Sequence, residues 1–207
     1  MTMDPRGLTD LHLDALRETA NIGAGHAATA LSRLTGKRVM VSVPEVSVLP
    51  LEQVGGMLGD PGEVVSAVIV KVEGDVQGRT LQVFEGTTAA KLVSYLLNMR
   101  EPEFPAGFGD LERSAVKEIG NVIVGAYLNA LAEFTGLSIT ISVPAFAIDM
   151  AAAILMTSYL NFGSEEDYVL SISTSLGVDG VEDLSAHFLL IPDEDSLNRI
   201  LHALNVA

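Results

Sequence analysis

The 207-residue sequence contains no cysteine, few basic residues and no apolar stretch long enough to cross a bilayer. The absence of cysteine excludes disulfide bonds, thiolate catalysis and cysteine-ligated zinc. Twelve Lys and Arg against 27 Asp and Glu give a net charge of −15, so the basic surface that nucleic-acid binding requires is missing. The most apolar window, residues 145–160, is too short for a membrane-spanning helix and carries Asp149.

The deficit of basic residues is concentrated in the second half. Residues 1–100 hold 11 acidic and 9 basic side chains, whereas residues 101–207 hold 16 acidic and 3 basic ones. An anionic membrane surface would repel that second half. The hydrophobic content of 48% suffices for a core, and the first residues lack the apolar segment of a signal peptide. We therefore expect a folded cytoplasmic protein without membrane insertion.

The sequence is an internal duplication with a shift of 100 residues. Residues 11–48 align with 111–148 without a gap, and 12 of these 38 positions are identical. Chance would supply about two or three identities at ordinary residue frequencies. The identical pairs are Leu11/111, Ala15/115, Glu18/118, Asn21/121, Gly25/125, Ala30/130, Leu31/131, Thr35/135, Gly36/136, Ser42/142, Val43/143 and Pro44/144.

The pattern predicts one α+β domain over residues 1–207, made of two repeats at about 8–100 and 108–207. The two pseudo-symmetric halves are expected to share a β-sheet, with two long helices on the surface. Further helices are predicted at 87–99 and 193–204, and loops at 55–62 and 100–109. Strands are predicted at 39–43, 64–72, 77–84, 139–143, 152–158, 168–174 and 186–191.

Local signals set the ends of the long helices and of the strands after them. Thr9 or Asp10 is expected to cap the first helix, and Asp110 the second. Each helix ends before a glycine, Gly36 or Gly136, that suits a left-handed terminal position. Pro44 and Pro144 are expected to stop the following strands.

Each long helix carries a polar stripe away from its apolar side. At 100° per residue, the stripe spans about 60° on either helix. Its members are Asp14, Glu18, Asn21 and Gly25 on the first helix and Ser114, Glu118, Asn121 and Gly125 on the second. A solvated helix face is the ordinary explanation of such residues. Asn and interior Gly both disfavour helix, however, so their presence in both copies indicates that packing or function retains them.

The stripe and the proline that follows it resemble a family motif. Both copies have Asp or Ser, then Glu after three intervening residues, Asn after two more, and Pro after a further 22. This spacing is similar to that of the CheC/CheX/FliY chemotaxis phosphatases, and the two-motif layout without a further domain is that of the CheC branch. The resemblance implies a CheC-like fold and hydrolysis of the aspartyl phosphate on the response regulator CheY.

The resemblance also implies the site residues and partners. Glu18, Asn21, Glu118 and Asn121 are the expected catalytic residues, and Mg²⁺ is expected on the CheY substrate rather than on this chain. Chemically, the uncharged Asn is suited to orient the attacking water, and the Glu to dock the regulator through its lysine. Asp14, Gly25, Ser114 and Gly125 are expected to contribute to binding, the glycines by clearing space for the partner's backbone.

An alternative function is a non-catalytic adaptor that binds phospho-CheY or the receptor deamidase CheD, like the middle domain of FliM. The acidic second half is expected to dock a basic partner, with CheD as the candidate. No metal site is expected, because His12, His26, His187 and His202 lack ligand spacing. A monomer is expected, since duplication places the pseudo-dimer interface within one chain.

Overall fold

The computed structural model describes residues 8–159, 168–179 and 181–204, and they form one eight-stranded antiparallel sheet with helices. A 3₁₀ helix, Leu51–Met57, follows the second strand. The helices are α1 (Asp10–Thr35), α2 (Gly86–Leu97), α3 (Asp110–Thr135), α4 (Ala151–Tyr159) and α5 (Glu194–Ala203). The strands are β1 (Val39–Val41), β2 (Glu45–Pro50), β3 (Val64–Gly74), β4 (Gly78–Glu85), β5 (Ile139–Ile141), β6 (Ala145–Met150), β7 (Tyr168–Val178) and β8 (Val181–Pro192).

The two halves exchange their edge strands. In the first half, β1 and β2 pair with β7 of the second half. In the second half, β5 and β6 pair with β3 of the first half. The hairpins β3–β4 and β7–β8 meet through β4 and β8, so the main strand order is β1-β7-β8-β4-β3-β5. The predicted shared, pseudo-symmetric sheet is confirmed, and each half completes the sheet of the other.

The ends of the long helices follow the predicted signals with one correction. Thr9 caps α1, since its hydroxyl accepts the N–H of His12 at 3.3 Å. Asp110 is not the cap of α3 but its first residue; Gly109 precedes it and donates its N–H to the Glu112 carboxylate at 3.0 Å. That carboxylate satisfies a terminal N–H that no helical carbonyl can reach. Gly36 and Gly136 end the helices in the left-handed conformation, as predicted.

Pro44 and Pro144 interrupt an edge strand rather than ending it. The strand resumes as β2 after Pro44 and as β6 after Pro144. The sequence pattern predicts neither of these segments. A serine bridges each interruption. The Ser42 hydroxyl accepts the N–H of Ser175 at 2.8 Å, and the Ser142 hydroxyl accepts that of Lys71 at 3.0 Å. The identical Ser-Val-Pro segments are therefore the same strand break, closed in the same way.

Alternation along the strands divides the core between the two faces of the sheet. Val68 and Val70 of β3 face the main core, which α1, α2, α3 and α5 cover. Val65 and Ala67 belong to a smaller core that includes residues of the 3₁₀ helix and α4. Side chains i and i+2 share a face, so β3 serves both cores. Both long helices lie over the main core.

One predicted strand is wrong. Residues 152–158 form most of α4 rather than a strand. Helix α4 begins with three alanines, which favour a helix, and its apolar run has no alternation to distinguish a strand from a helix. The predicted loop at 55–62 also begins within the 3₁₀ helix. The remaining predicted strands and helices are present with shifted ends.

Candidate functional site

The stripe of α1 is exposed along its whole length. Asp14, Glu18, Asn21 and Gly25 are all solvent-exposed, while Leu16, Ala20 and Ala27 on the other side are buried. The sequence places these buried residues on one side of the helix because they recur every three to four positions. The stripe therefore faces away from the main core.

The stripe of α3 occupies the same turns with more cover. Ser114 and Glu118 are exposed, whereas Asn121 and Gly125 are half-buried. Eleven residues of α3 are buried, against seven of α1, because α3 contacts β3, β4, β5, β6 and α2 as well as α1. Asn121 therefore emerges from a more tightly packed helix than Asn21.

The Glu and Asn side chains of both stripes have no partner among the described residues. Neither the Glu18 carboxylate nor the Asn21 carboxamide makes a hydrogen bond or an ion pair with a described residue, and the same holds for Glu118 and Asn121. A polar side chain that only supported the fold would be expected to bond within it. Asp14 differs, because its carboxylate pairs with Arg17 at 2.8 Å on the exposed surface. Glu and Asn are thus free to engage another molecule.

Packing explains two interior glycines but not those of the stripes. A Cβ at Gly23 would lie 2.5 Å from Cδ1 of Tyr127, and one at Gly120 would overlap Val68. These glycines allow close packing of α1 on α3 and of α3 on β3. By contrast, a Cβ at Gly25 or Gly125 would meet nothing within 4 Å. The stripe glycines leave open surface one turn beyond each Asn.

The two stripes lie at opposite ends of an antiparallel helix pair. Gly23 packs on Tyr127, and Thr19 lines a small cavity together with Leu131. Earlier residues of α1 therefore contact later residues of α3. At 1.5 Å per residue, this arrangement separates Glu18 from Glu118 by about 20 Å along the pair. The stripes form two separate surfaces.

A second polar cluster lies on the sheet and not at either stripe. The Ser173 hydroxyl and Nδ1 of His187 are 3.1 Å apart. Burial lowers the pKa of His187, and the negative charge of Glu85 opposes this shift.

Burial also raises the pKa of Tyr127 to about 12. Across the described residues, no three His, Asp or Glu side chains come together in a geometry that could hold a metal ion.

The acidic clusters of the second half are only partly described. Residues 165–167 lie outside the described residues, and nothing is described of the side chains of residues 182 and 183. The Asp179 carboxylate accepts the N–H of Arg38 at 3.2 Å, and Asp193 caps α5 by accepting the N–H of Ser196 at 2.8 Å. These two acidic residues support local structure.

The sequence analysis does not predict one feature beside the motif, a pair of exposed valines. Val43 and Val143 precede the motif prolines and are 80% and 84% exposed. The signal was present, because both valines are identical residues of the repeat next to Pro. In the ranges described above, no helix is both long and apolar enough to span a membrane.

Comparison with protein families matches the chain to the CheC-like family at residues 11–48 and 111–148. These are the ranges that the internal duplication aligns. The CheY-P phosphatase CheC of Bacillus subtilis (strain 168) is 28% identical over 205 residues, 97% of either chain. A putative CheY-P phosphatase, CheC1 of Halobacterium salinarum, is 30% identical over 132 residues, covering 64% of this chain and 66% of that protein.

Solved structures share the fold at lower identity. FliY of Thermotoga maritima superposes with a TM-score of 0.78 at 21% identity, covering 95% of this chain and 97% of that one. The FliM middle domain of H. pylori gives a TM-score of 0.69 at 12% identity and coverages of 95% and 99%. A chain of the CheX-CheY-BeF3-Mg+2 complex of Borrelia burgdorferi gives 0.50 at 18% identity and coverages of 93% and 100%. The fold of this chain is thus the fold of these proteins.

Proposed function

The chain belongs to the CheC-like family, and on this basis we propose that it hydrolyses the aspartyl phosphate of a CheY-type response regulator. The relative that matches almost its full length is named as a CheY-P phosphatase. A complex of similar fold contains CheY with beryllium fluoride and magnesium. These comparisons support the substrate class, and the stripes support the residues.

The observation that carries the proposal is the Glu and Asn pair on both helices, which has no partner among the described residues and is exposed except for the half-buried Asn121. Glu and Asn are separated by one helical turn, so both side chains project from the same surface. The same pair recurs at Glu118 and Asn121. An exposed helix that lies over a packed sheet presents these groups on a rigid support, which favours a defined orientation in a complex.

The proposed reaction needs few groups from this chain. Water attacks the phosphorus in line, the bond between phosphorus and the aspartyl oxygen breaks, and the products are inorganic phosphate and the free aspartate carboxylate. The positive charges that stabilise the transferring phosphoryl group belong to the regulator and its Mg²⁺. This chain supplies orientation: the Asn21 or Asn121 carboxamide accepts and donates hydrogen bonds to one water without repelling the phosphoryl oxygens.

Glu18 and Glu118 serve a different role from the asparagines. A carboxylate pointed at the phosphoryl group would repel it, whereas a carboxylate one turn away can pair with a lysine of the regulator. Glu therefore fixes the helix on its substrate. Asp14 and Ser114 extend the same surface towards the helix N-terminus, and the open space at Gly25 and Gly125 admits the partner's backbone.

Turnover distinguishes this function from an adaptor role. Phosphorylated regulator in excess over the chain should release several phosphates per chain, faster than the regulator alone. Binding of phosphorylated regulator without release beyond its spontaneous decay would instead identify an adaptor. The control is Asn198→Ala, which removes an exposed carboxamide from α5, outside both stripes, and should leave the rate unchanged.

The assigned role of Glu has its own measurement. Glu18→Gln with Glu118→Gln keeps side-chain size and removes both charges. Loss of a charge-assisted hydrogen bond should raise KM for the phosphorylated regulator about tenfold, with kcat little changed. A fall in kcat at constant KM would contradict the docking role.

A further inference from the structure

Large apolar side chains are exposed at equivalent positions of both halves. Leu11 and Leu111 are 57% and 61% exposed, and Val43 and Val143 are more exposed still. Because these residues are exposed, burial in the fold does not explain why both pairs are identical. Most of the aligned positions, 26 of 38, have diverged. An exposed apolar side chain gains stability only when another surface covers it.

Leu11 lies in line with the first stripe. It precedes Glu18 by seven residues, which is two helical turns and about 10 Å, with an angular difference of about 20°. Leu111 precedes Glu118 by the same seven residues. An apolar side chain thus stands at the N-terminal end of each stripe.

Val43 lies beside the other end of the first stripe. Asn21 and Ser32 differ by about 20° around α1 and by about 16 Å along it. The Ser32 hydroxyl accepts the N–H of Val39 at 2.9 Å, which fixes β1 against this side of the helix. The chain then runs back along α1 through β1, which ends at Val41, and reaches Val43 four residues after Val39, up to about 13 Å away. This places Val43 level with the segment from Asn21 to Gly25.

Strand pairing gives an independent check on this placement. Val46, three residues further along, pairs with Ile172, and Ile172 lines the same cavity as Leu16 and Thr19 of α1. The edge strand therefore does return towards the N-terminal half of α1. The 22 residues between Asn21 and Pro44 therefore consist of the remainder of α1 and the strand segment that returns along it.

The backbone before each valine is held rigidly. The Ser42 N–H donates to the Ser175 carbonyl at 2.9 Å, in addition to the bond that its hydroxyl accepts from Ser175. Ser142 makes the same pair of bonds with Lys71. Each valine thus projects from a fixed point of the sheet edge, and such preorganisation favours binding.

We propose that Leu11 and Val43 at the first stripe, and Leu111 and Val143 at the second, form the apolar rim that docks the phosphorylated regulator around the Glu/Asn pair. This inference rests on the proposed function. The occupant is the regulator because the exposed apolar residues recur at the same sequence spacing from the Glu and Asn pair in both halves. A covered rim around a central polar pair also limits bulk water at the site.

The test uses full-length chain with Val43→Thr, Val143→Thr, Leu11→Gln and Leu111→Gln combined. Thr keeps the shape of Val and its preference for strands. Phosphate release at increasing concentrations of phosphorylated regulator should show KM raised about tenfold or more, with kcat unchanged. The matched control is Leu34→Gln with Phe134→Gln, another repeated and exposed apolar pair that lies about 170° from the stripe centre. This control should keep the KM of the unmodified chain.

Direct binding separates failure of this inference from failure of the proposed function. Titration with regulator loaded with Mg²⁺ and beryllium fluoride measures docking without turnover. Weaker binding by the rim variant alone supports the rim even if the chain releases no phosphate, whereas unchanged binding overturns it even if the chain is a phosphatase. A variant that alters self-association and leaves the binding affinity intact would also overturn it. The Val→Thr pair alone should weaken binding in the same direction if the Gln substitutions impair folding.

Discussion

The two long helices carry the same stripe in different surroundings. On α1 the Glu18–Asn21 pair is exposed, with an Asp14–Arg17 ion pair one turn before it. On α3 Asn121 is half-buried, and Ser114 stands where α1 has Asp14. The helix caps differ as well, with Thr9 and His12 on α1 but Glu112 on α3.

The difference separates what both halves require from what each half adapted. The Glu, the Asn, the stripe glycine and the Ser-Val-Pro segment are identical, although none of the Glu and Asn groups bonds within the described fold. Contacts between the long helices have diverged in part: Gly23 lies opposite Tyr127, but their counterparts are Ile123 and Ala27, whereas the buried Leu31 and Leu131 are identical. Shared function and divergent packing are the simplest account of that division.

The largest expected difference between the halves lies in their single-site activities. Asn121→Ala should remove more than half of the stimulated phosphate release, and Asn21→Ala less than half. Asn121 is the better preorganised of the two, because it is half-buried on the more tightly packed helix. Steady-state release by each variant checks this. Equal losses, or a larger loss from Asn21→Ala, would break the comparison.

Packing should distinguish neighbouring glycines of α1. Gly23→Ala places a Cβ against Tyr127 and should destabilise the protein by about 1–3 kcal/mol. Gly25→Ala enters open space and should stabilise the helix by up to about 1 kcal/mol. Urea unfolding of both variants measures the two changes. Similar free energies of unfolding would show that Gly23 does not set the approach of the helices.

The strand breaks should behave alike in the two halves. Ser42→Ala and Ser142→Ala each leave a backbone N–H on the facing strand without its acceptor, at a cost of about 1 kcal/mol. Chemical unfolding should give matching losses, since the two bonds differ by only 0.2 Å in length. A large effect in one half alone would mean that the breaks are not equivalent.

A pH effect on stability is expected from His187 of the second half, which has no histidine counterpart on the strands of the first half. Burial lowers the pKa of His187 in the folded protein, so the unfolded chain binds more protons between the two pKa values. The stability from neutral His187 is fully present above the unfolded pKa of about 6.5 and is lost as pH falls towards the folded value. His187→Gln should flatten the decline in unfolding free energy below neutral pH; an unchanged decline would assign it to other groups.

The duplication makes the helices and the stripes predictable. The helical periodicity of the sequence and its internal duplication both point to Glu18, Asn21 and their counterparts. The edge strands β2 and β6 were missed because Pro44 and Pro144 signal an end, and only the facing strand shows that pairing resumes. The exchange of strands between halves depends on contacts distant in sequence. Residues 152–158 were assigned wrongly because a short apolar segment fits a strand and a helix equally well.

The central claim, that the stripe asparagines promote hydrolysis on a bound regulator, is tested most directly by Asn21→Ala combined with Asn121→Ala. With the chain in excess over phosphorylated regulator, the first-order rate of phosphate loss isolates the chemical step. We expect the stimulated rate to fall about 10²-fold, while affinity for the beryllium-fluoride-loaded regulator is retained. A rate equal to that of the unmodified chain would contradict the account.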